Sequence, residues 1–296
     1  MTFNDQDEAE IEASRAPLMD HLIELRGRLI ICVAAFIVAF IACFAFAEPI
    51  YVFLVRPFAA AAAFHAAAGG GAHAAVSPLD LILGTAGLKP LPHTSGETLN
   101  LIYTAPLEFL FTKMKLAGLG AVILAFPVLA FQLYRFVAPG LYRNERGAFL
   151  PFLVAAPILF VLGAALVYFV MLPFVMWFSL SQGFSQAGVT AALLPKVSDY
   201  MNLVTALILA FGFCFQLPVV MTLLGMAGLI SSKAMVSGRR YAIVAVAGGG
   251  AGGAPPDPIS QIMLIVPLVL LYEVSIWCVR IIEMRRGKRE AAEGLA

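Results

Sequence analysis

Phe131-Gln-Leu-Tyr-Arg-Phe-Val-Ala-Pro-Gly-Leu-Tyr-Arg-Asn-Glu-Arg146 is a short hydrophilic stretch between two long apolar runs. Leu116 to Leu133 carries no charge, and neither do the almost 50 residues from Gly147 to Pro195. A bilayer crossing takes roughly 20 apolar residues in a helix. Each run is long enough, so the stretch between them reads as a tight hinge at a membrane surface. It holds Arg135, Arg143 and Arg146 and one acid, Glu145.

The whole composition agrees. The chain is 61% hydrophobic and 12% charged, against about 25% charged residues in soluble domains. This is the balance of an integral membrane protein. A net charge of +1 gives no bulk electrostatic case for nucleic acid. Cys32, Cys43, Cys214 and Cys278 lie inside apolar runs without CxxC spacing, so they read as small buried hydrophobes rather than a zinc or redox motif. His65, His73 and His93 are irregularly spaced with no acid cluster beside them, which speaks against a metal site. No cofactor and no metal is expected. The acidic N-terminus has no basic region followed by a cleavage site, so it does not read as a cleaved signal peptide.

Working outward from the hinge gives six spans and an all-α fold, expected as a single membrane domain over residues 1–296. Tails 1–15 and 284–296 are expected to be disordered. Leu18, Leu22, Leu25 and Leu29 recur at helical spacing beside an i, i+4 row of Asp20, Glu24 and Arg28, an interfacial helix that runs into span one, about Leu29–Ala47. Glu48 to about Pro106 reads as a long loop with short helical pieces, its Ala/Gly-rich Ala59–Ala75 part a spacer. Spans two to four are about Phe109–Phe136, Ala148–Trp177 and Tyr200–Leu229. Ser231 or Ser232 is a candidate cap for the next short turn. Span five, about Tyr241–Ala254, and the membrane part of span six, about Ile259–Ile282, are expected to be short. Fourteen residues rise about 21 Å, against a hydrocarbon core of about 30 Å. Gly248–Gly253 matches GxGxxG, but no strand precedes it, so it reads as a small-residue packing surface rather than a dinucleotide site.

Of the 19 Lys and Arg residues, about 14 fall in the N-terminal segment, the hinge, the 233–240 loop and the tail. Arg56, Lys89, Lys113, Lys115 and Lys196 make up the other face. The positive-inside rule then places both termini in the cytoplasm.

Enzymatic readings find little support. There is no P-loop, and no histidine lies in a span. The polar groups inside the spans include Gln216 and Glu273, and ionisable groups at membrane depth are functional candidates. Glu273 is about two turns from Arg280, so a structural role near the interface is as good a reading for it.

Pro17-Leu-Met-Asp-His-Leu-Ile-Glu-Leu-Arg-Gly-Arg28, the 131–146 hinge with Ala138-Pro139 and Leu141-Tyr-Arg-Asn-Glu-Arg146, Phe215-Gln-Leu-Pro218 and Pro255-Pro-Asp-Pro-Ile-Ser-Gln261 occur in this order. Together they resemble the TatC family, the signal-receptor subunit of the twin-arginine protein translocase, over almost all of Pro17 to Ile282. The resemblance implies six spans with cytoplasmic termini in a bacterial inner membrane. It implies a receptor for signal peptides bearing two adjacent arginines, and a translocase core that moves folded proteins on the proton-motive force. The implied partners are those signal peptides and single-span TatA/TatB-type subunits, with self-association in the complex. The family's two recognition glutamates map to Glu24 and Glu145, with Arg26 and Arg146 in the same motifs. Pro139, Pro218, Pro256 and Asp257 map to its structural motifs, and Gln216 stands where the family often has Glu. Carboxylates suit the role because guanidinium pairs with them bidentately and lysine does not. The bland reading is that Glu24 pairs with Arg28, and Glu145 with Arg143 or Arg146. The chain departs from the family in its long Ala/Gly-rich loop after span one and in Gly248–Gly253, where bulky aliphatic residues are usual. A small-molecule secondary transporter would show two related halves and a midplane ion site, and a membrane scaffold would need no recognition acids.

Overall fold

The computed structural model describes residues 3–67, 77–92, 101–137, 146–186, 189–191, 195–226, 228–250 and 258–293. Helix α1 (Phe3–Ala45) is followed after one residue by α2 (Ala47–Ala67), then α3 (Pro78–Thr85) and α4 (Glu108–Val137). α5 (Arg146–Leu166) continues through a π turn, Val167–Met171, into α6 (Leu172–Ser181). A two-stranded antiparallel ribbon, β1 (Phe184–Gln186) and β2 (Val189–Ala191), leads to α7 (Val197–Cys214). α8 (Leu217–Met226), α9 (Ser232–Gly250) and α10 (Pro258–Glu293) complete the chain.

Among the described residues, six helices are long and apolar enough to cross a membrane: Ile23–Ala45, Ala47–Ala67, Glu108–Phe136, Leu153–Ser181, Val197–Met226 and Ile265–Met284. The set includes α2. Geometry explains its place. The α5–α6 rod runs over residues 146–181, about 54 Å at 1.5 Å per residue, and so overhangs a core of about 30 Å by a wide margin. α2 packs against α6 and α3 at that overhanging end. α9 lies against α10. Lys233, Arg239 and Arg240 lie in its first half.

Several expectations are corrected. Residues 47–67 form a helix, not a loop, and the alanine-rich part is packed rather than a spacer: Ala60 and Ala61 are fully buried. Alanine is the strongest helix former, and its small side chain lets helices approach closely. Lys233–Arg240 is helical too, as the start of α9. The tails expected to be disordered are helical from Phe3 and as far as Glu293. Extending an existing helix is far easier than nucleating one, and Ala, Glu and Arg in both tails favour it.

The main core gathers Leu54, Phe58, Leu116, Met171, Met201 and Phe211 from α2, α4, the π turn and α7. α1 stays outside it: 6% of its apolar window is buried, against 44% for Leu153–Ser181. Its exposed Leu, Ile, Val and Phe suit lipid, which is as apolar as they are. The α5–α7 crossing is close. A Cβ at Gly212 would lie 2.7 Å from the Phe160 ring, and one at Gly163 would lie 2.8 Å from the Phe211 carbonyl oxygen. A second small core joins Met235 of α9 to Ile276 and Val279 of α10.

Prolines inside helices leave carbonyls that other elements satisfy. Pro57 has no N–H to donate to the Phe53 carbonyl one turn back. The Tyr168 hydroxyl, carried by the π turn, donates to that carbonyl at 2.8 Å, and the Tyr200 hydroxyl donates to the next one, Leu54, at 2.7 Å. The Phe53 and Tyr168 rings stack 4.3 Å apart. A helix from the overhanging end is thereby fastened to two spans.

Candidate functional site

The α1–α4 pair sets the level of the first recognition motif. α1 and α4 run alongside each other in opposite senses, and a Cβ at Gly120 would lie 2.7 Å from the Cys43 sulfur. Counting from that contact, Val137 is seventeen residues further along α4, and Arg26 is seventeen residues back along α1. Helices rise equally per residue. The Glu24–Arg28 turn therefore stands level with the end of α4, where the 138–145 interval begins, and Arg146 opens α5 on the other side of that interval.

Glu24 is engaged. Its Oε1 accepts from Arg28 Nε at 3.1 Å and from Arg28 Nη2, an i, i+4 pair along α1. Its side chain keeps 38% of its surface exposed. Arg26 is exposed on the same turn. Near the end of α4, the Arg135 guanidinium lies over the Phe131 ring at 5.5 Å, and Tyr134 packs with Met226 of α8 and Ile282 of α10. Glu145, Pro139, Pro256 and Asp257 lie outside the described residues, as do His73 and His93. Arg146 is placed as the first residue of α5.

Gln216 sits in the two-residue break between α7 and α8. Pro218 cannot donate to the Cys214 carbonyl, so the helix stops there, and the Phe215 and Gln216 N–H groups turn back to Phe211 and Phe213, each at 2.9 Å. The Gln216 amide does not bond the loosened local backbone. Nε2 donates to the Ala156 carbonyl of α5 at 2.9 Å. Ala156 is ten residues into α5, about 15 Å from its start. That is half of the roughly 30 Å core, so the amide is at mid-depth.

Glu273 has a partner other than Arg280. Arg239 of α9 grips it with a fork, Nε to Oε1 at 2.7 Å and Nη2 to Oε2 at 2.8 Å. Further along α10, Glu283 accepts from the Ser232 N–H at 2.9 Å and from the Ser232 hydroxyl. The Ser231 hydroxyl caps the same helix start by accepting from the Ala234 N–H at 3.2 Å. α9 is thus fixed to α10 by two carboxylates.

At the opposite end, Glu108 does what sequence reading missed. One oxygen accepts from the Thr104 and Ala105 N–H groups at 2.7 and 3.2 Å, and the other from the Ser198 N–H in the first turn of α7 at 3.3 Å. Ile102 bridges to Lys196 beside it. Glu108 at the start of an apolar run is a visible helix-start signal, since acids favour the first turn. The link to Ser198, 90 residues away, leaves no local trace.

Comparison with known proteins decides the family. The profile described as "Sec-independent protein translocase protein (TatC)" matches residues 20–267. The chain belongs to the TatC family. It is 40% identical to the Sec-independent protein translocase protein TatC of Magnetococcus marinus, over 94% of this chain and 89% of that one. It is 32% identical to the TatC protein of Escherichia coli K12, over 93% and 92%. Among solved structures it resembles the crystal structure of the twin arginine translocase receptor TatC, with a TM-score of 0.67 and 34% identity over 88% of this chain and 98% of that one. As a member of this family it is a multi-pass membrane protein and a component of the Sec-independent, twin-arginine protein translocase.

Proposed function

We propose that this TatC-family chain is the receptor for twin-arginine signal peptides and the core of the translocase that exports folded proteins, with Glu24 and Glu145 as the two arginine anchors. The observation that carries the reading is the level of the Glu24–Arg28 turn, which stands beside the end of α4 where the segment holding Glu145 begins. The Glu24 carboxylate at this level matches one guanidinium of an adjacent pair, Glu145 is assigned the other, and Arg26 and Arg146 order the surroundings.

The Glu24–Arg28 pair works as a placeholder. Glu24 is 38% and Arg28 17% exposed, and an i, i+4 ion pair on a helix contributes about 0.3–0.5 kcal/mol. A bidentate guanidinium–carboxylate bond from a bound signal is shorter and stronger, about 1.5–3 kcal/mol for charged hydrogen bonds. An incoming arginine therefore displaces Arg28 at a net gain, while a signal lysine lacks the fork and gains less.

The sites lie at the end rich in Lys and Arg, which the positive-inside rule assigns to the cytoplasm of a bacterial inner membrane, with both termini on that side. Gln216 at mid-depth faces the inserted signal or a single-span TatA/TatB-type partner, several copies assemble, and the proton-motive force drives transport. A photo-crosslinker at Leu25, exposed on the Glu24 turn, tests the receptor reading. It is expected to capture a twin-arginine signal peptide and not its Lys-Lys counterpart. Equal capture of both would refute recognition at this turn.

A further inference from the structure

Between α1, α2, α4 and the α5 rod lies an apolar groove of about 400 Å³. Cys43, Gly120 and Ala164 form part of its floor, and Leu124 and Val161 line it nearer its other end. Phe53 and Tyr168 close the end toward α2. Phe53, Leu124 and Val161 are each about half exposed or more, so the groove opens sideways into the lipid. From Val161 to Tyr168 is seven residues, about 10 Å of rise. Its floor is tightly packed: at Gly120 there is no room for a side chain beside Cys43.

A cation stands at the α2 end. Arg56 is one turn beyond Phe53, a lining residue, on the same face of α2. Arg56 is exposed, and no described acid pairs with it. The neighbouring cation Lys113 is already held by Glu48 at 2.8 Å. The Tyr168 hydroxyl is committed to the Phe53 carbonyl. An uncommitted guanidinium at the mouth of a purely apolar slot calls for an amphiphile with an anionic head.

We propose that the groove seats an acyl chain of an anionic phospholipid whose phosphate is held by Arg56. The planar fork of arginine suits phosphate oxygens. Depth agrees: Tyr168 is 22 residues into the α5 rod, about 33 Å from its start, the level at which a core of about 30 Å gives way to headgroups.

The test is native mass spectrometry of the full chain reconstituted in nanodiscs of equal phosphatidylglycerol and phosphatidylcholine, then released into detergent. The wild type is expected to retain one phospholipid, phosphatidylglycerol favoured about fivefold, the effect of one basic residue at the membrane surface. Arg56→Gln, a change at the groove mouth that leaves the fold alone, should retain lipid with that preference lost. Ala165→Trp, which fills the groove, should lose the retained lipid. An unchanged preference in Arg56→Gln overturns the assignment, as does a wild type that retains none. If Ala165→Trp keeps its lipid but no longer crosslinks a signal peptide, the groove belongs to a helix and the lipid assignment falls.

Discussion

Replacing Gln216 by leucine separates transport from signal binding. Leucine matches the width of the glutamine side chain but removes its donor, and the structure shows one bond at stake, Nε2 to the Ala156 carbonyl at 2.9 Å. That carbonyl lies inside α5 and keeps its helical role. Polar contacts between membrane helices average about 0.6 kcal/mol, and hydrogen bonds in general about 0.5–1.5. The loss is therefore near 1 kcal/mol, well below the 5–15 kcal/mol that unfolds a protein. Gln216→Leu should accumulate as folded protein and still crosslink a signal at the Glu24 end, while export of a folded reporter fails. Gln216→Glu should export, because a protonated carboxyl at mid-depth donates to the same carbonyl. Export and crosslinking measured side by side decide: full export by the leucine variant would remove this side chain from the mechanism, and loss of crosslinking would show misfolding instead.

Tyr168→Phe leaves the Phe53 carbonyl, already without its helical donor because of Pro57, unsatisfied; a loss of about 1–3 kcal/mol is expected, read as a lower unfolding midpoint in detergent, and an unchanged midpoint would show that the bond contributes nothing. Gly163→Ala pushes a Cβ to 2.8 Å from the Phe211 carbonyl oxygen and should cost about 1–3 kcal/mol. Gly118→Ala, which meets nothing within 4 Å, should be neutral or stabilising by up to about 1 kcal/mol; the reverse order in thermal melts would contradict the α5–α7 crossing. In a chain with its four cysteines replaced, an impermeant thiol reagent added to intact cells should label Leu88→Cys, exposed at the α2–α3 end, and not Lys233→Cys; labelling of both would refute cytoplasmic termini.

The spans are legible in the sequence because apolar length is a direct physical demand of the bilayer. What escapes is whatever depends on contacts distant in sequence. The alanine run 59–63 reads as a spacer until α6 supplies a surface on which Ala60 and Ala61 can be buried. α9 reads as a loop and a short span because Lys233, Arg239 and Arg240 break its apolar pattern; Glu273 and Glu283 on α10 are what hold that charged stretch in a helix. Glu273 can be read as an intramembrane acid only while Arg239 is unplaced. Gln216 is readable as a polar residue beside a proline break, but its acceptor, Ala156, is 60 residues away. For recognition, the motif around Glu24 is visible in sequence, whereas its level beside the end of α4 comes from the Cys43–Gly120 contact.

The affinity of a twin-arginine signal peptide for purified protein in nanodiscs, compared across wild type, Glu24→Ala, Glu145→Ala and the double variant, tests the central claim most directly. Each charged hydrogen bond of about 1.5–3 kcal/mol corresponds to roughly a tenfold to hundredfold loss of affinity. Each single variant should weaken binding by at least tenfold, the double variant should bind the Arg-Arg and Lys-Lys peptides alike, and all should remain folded. Wild-type affinity in both single variants, with the preference for Arg-Arg intact, would contradict the account.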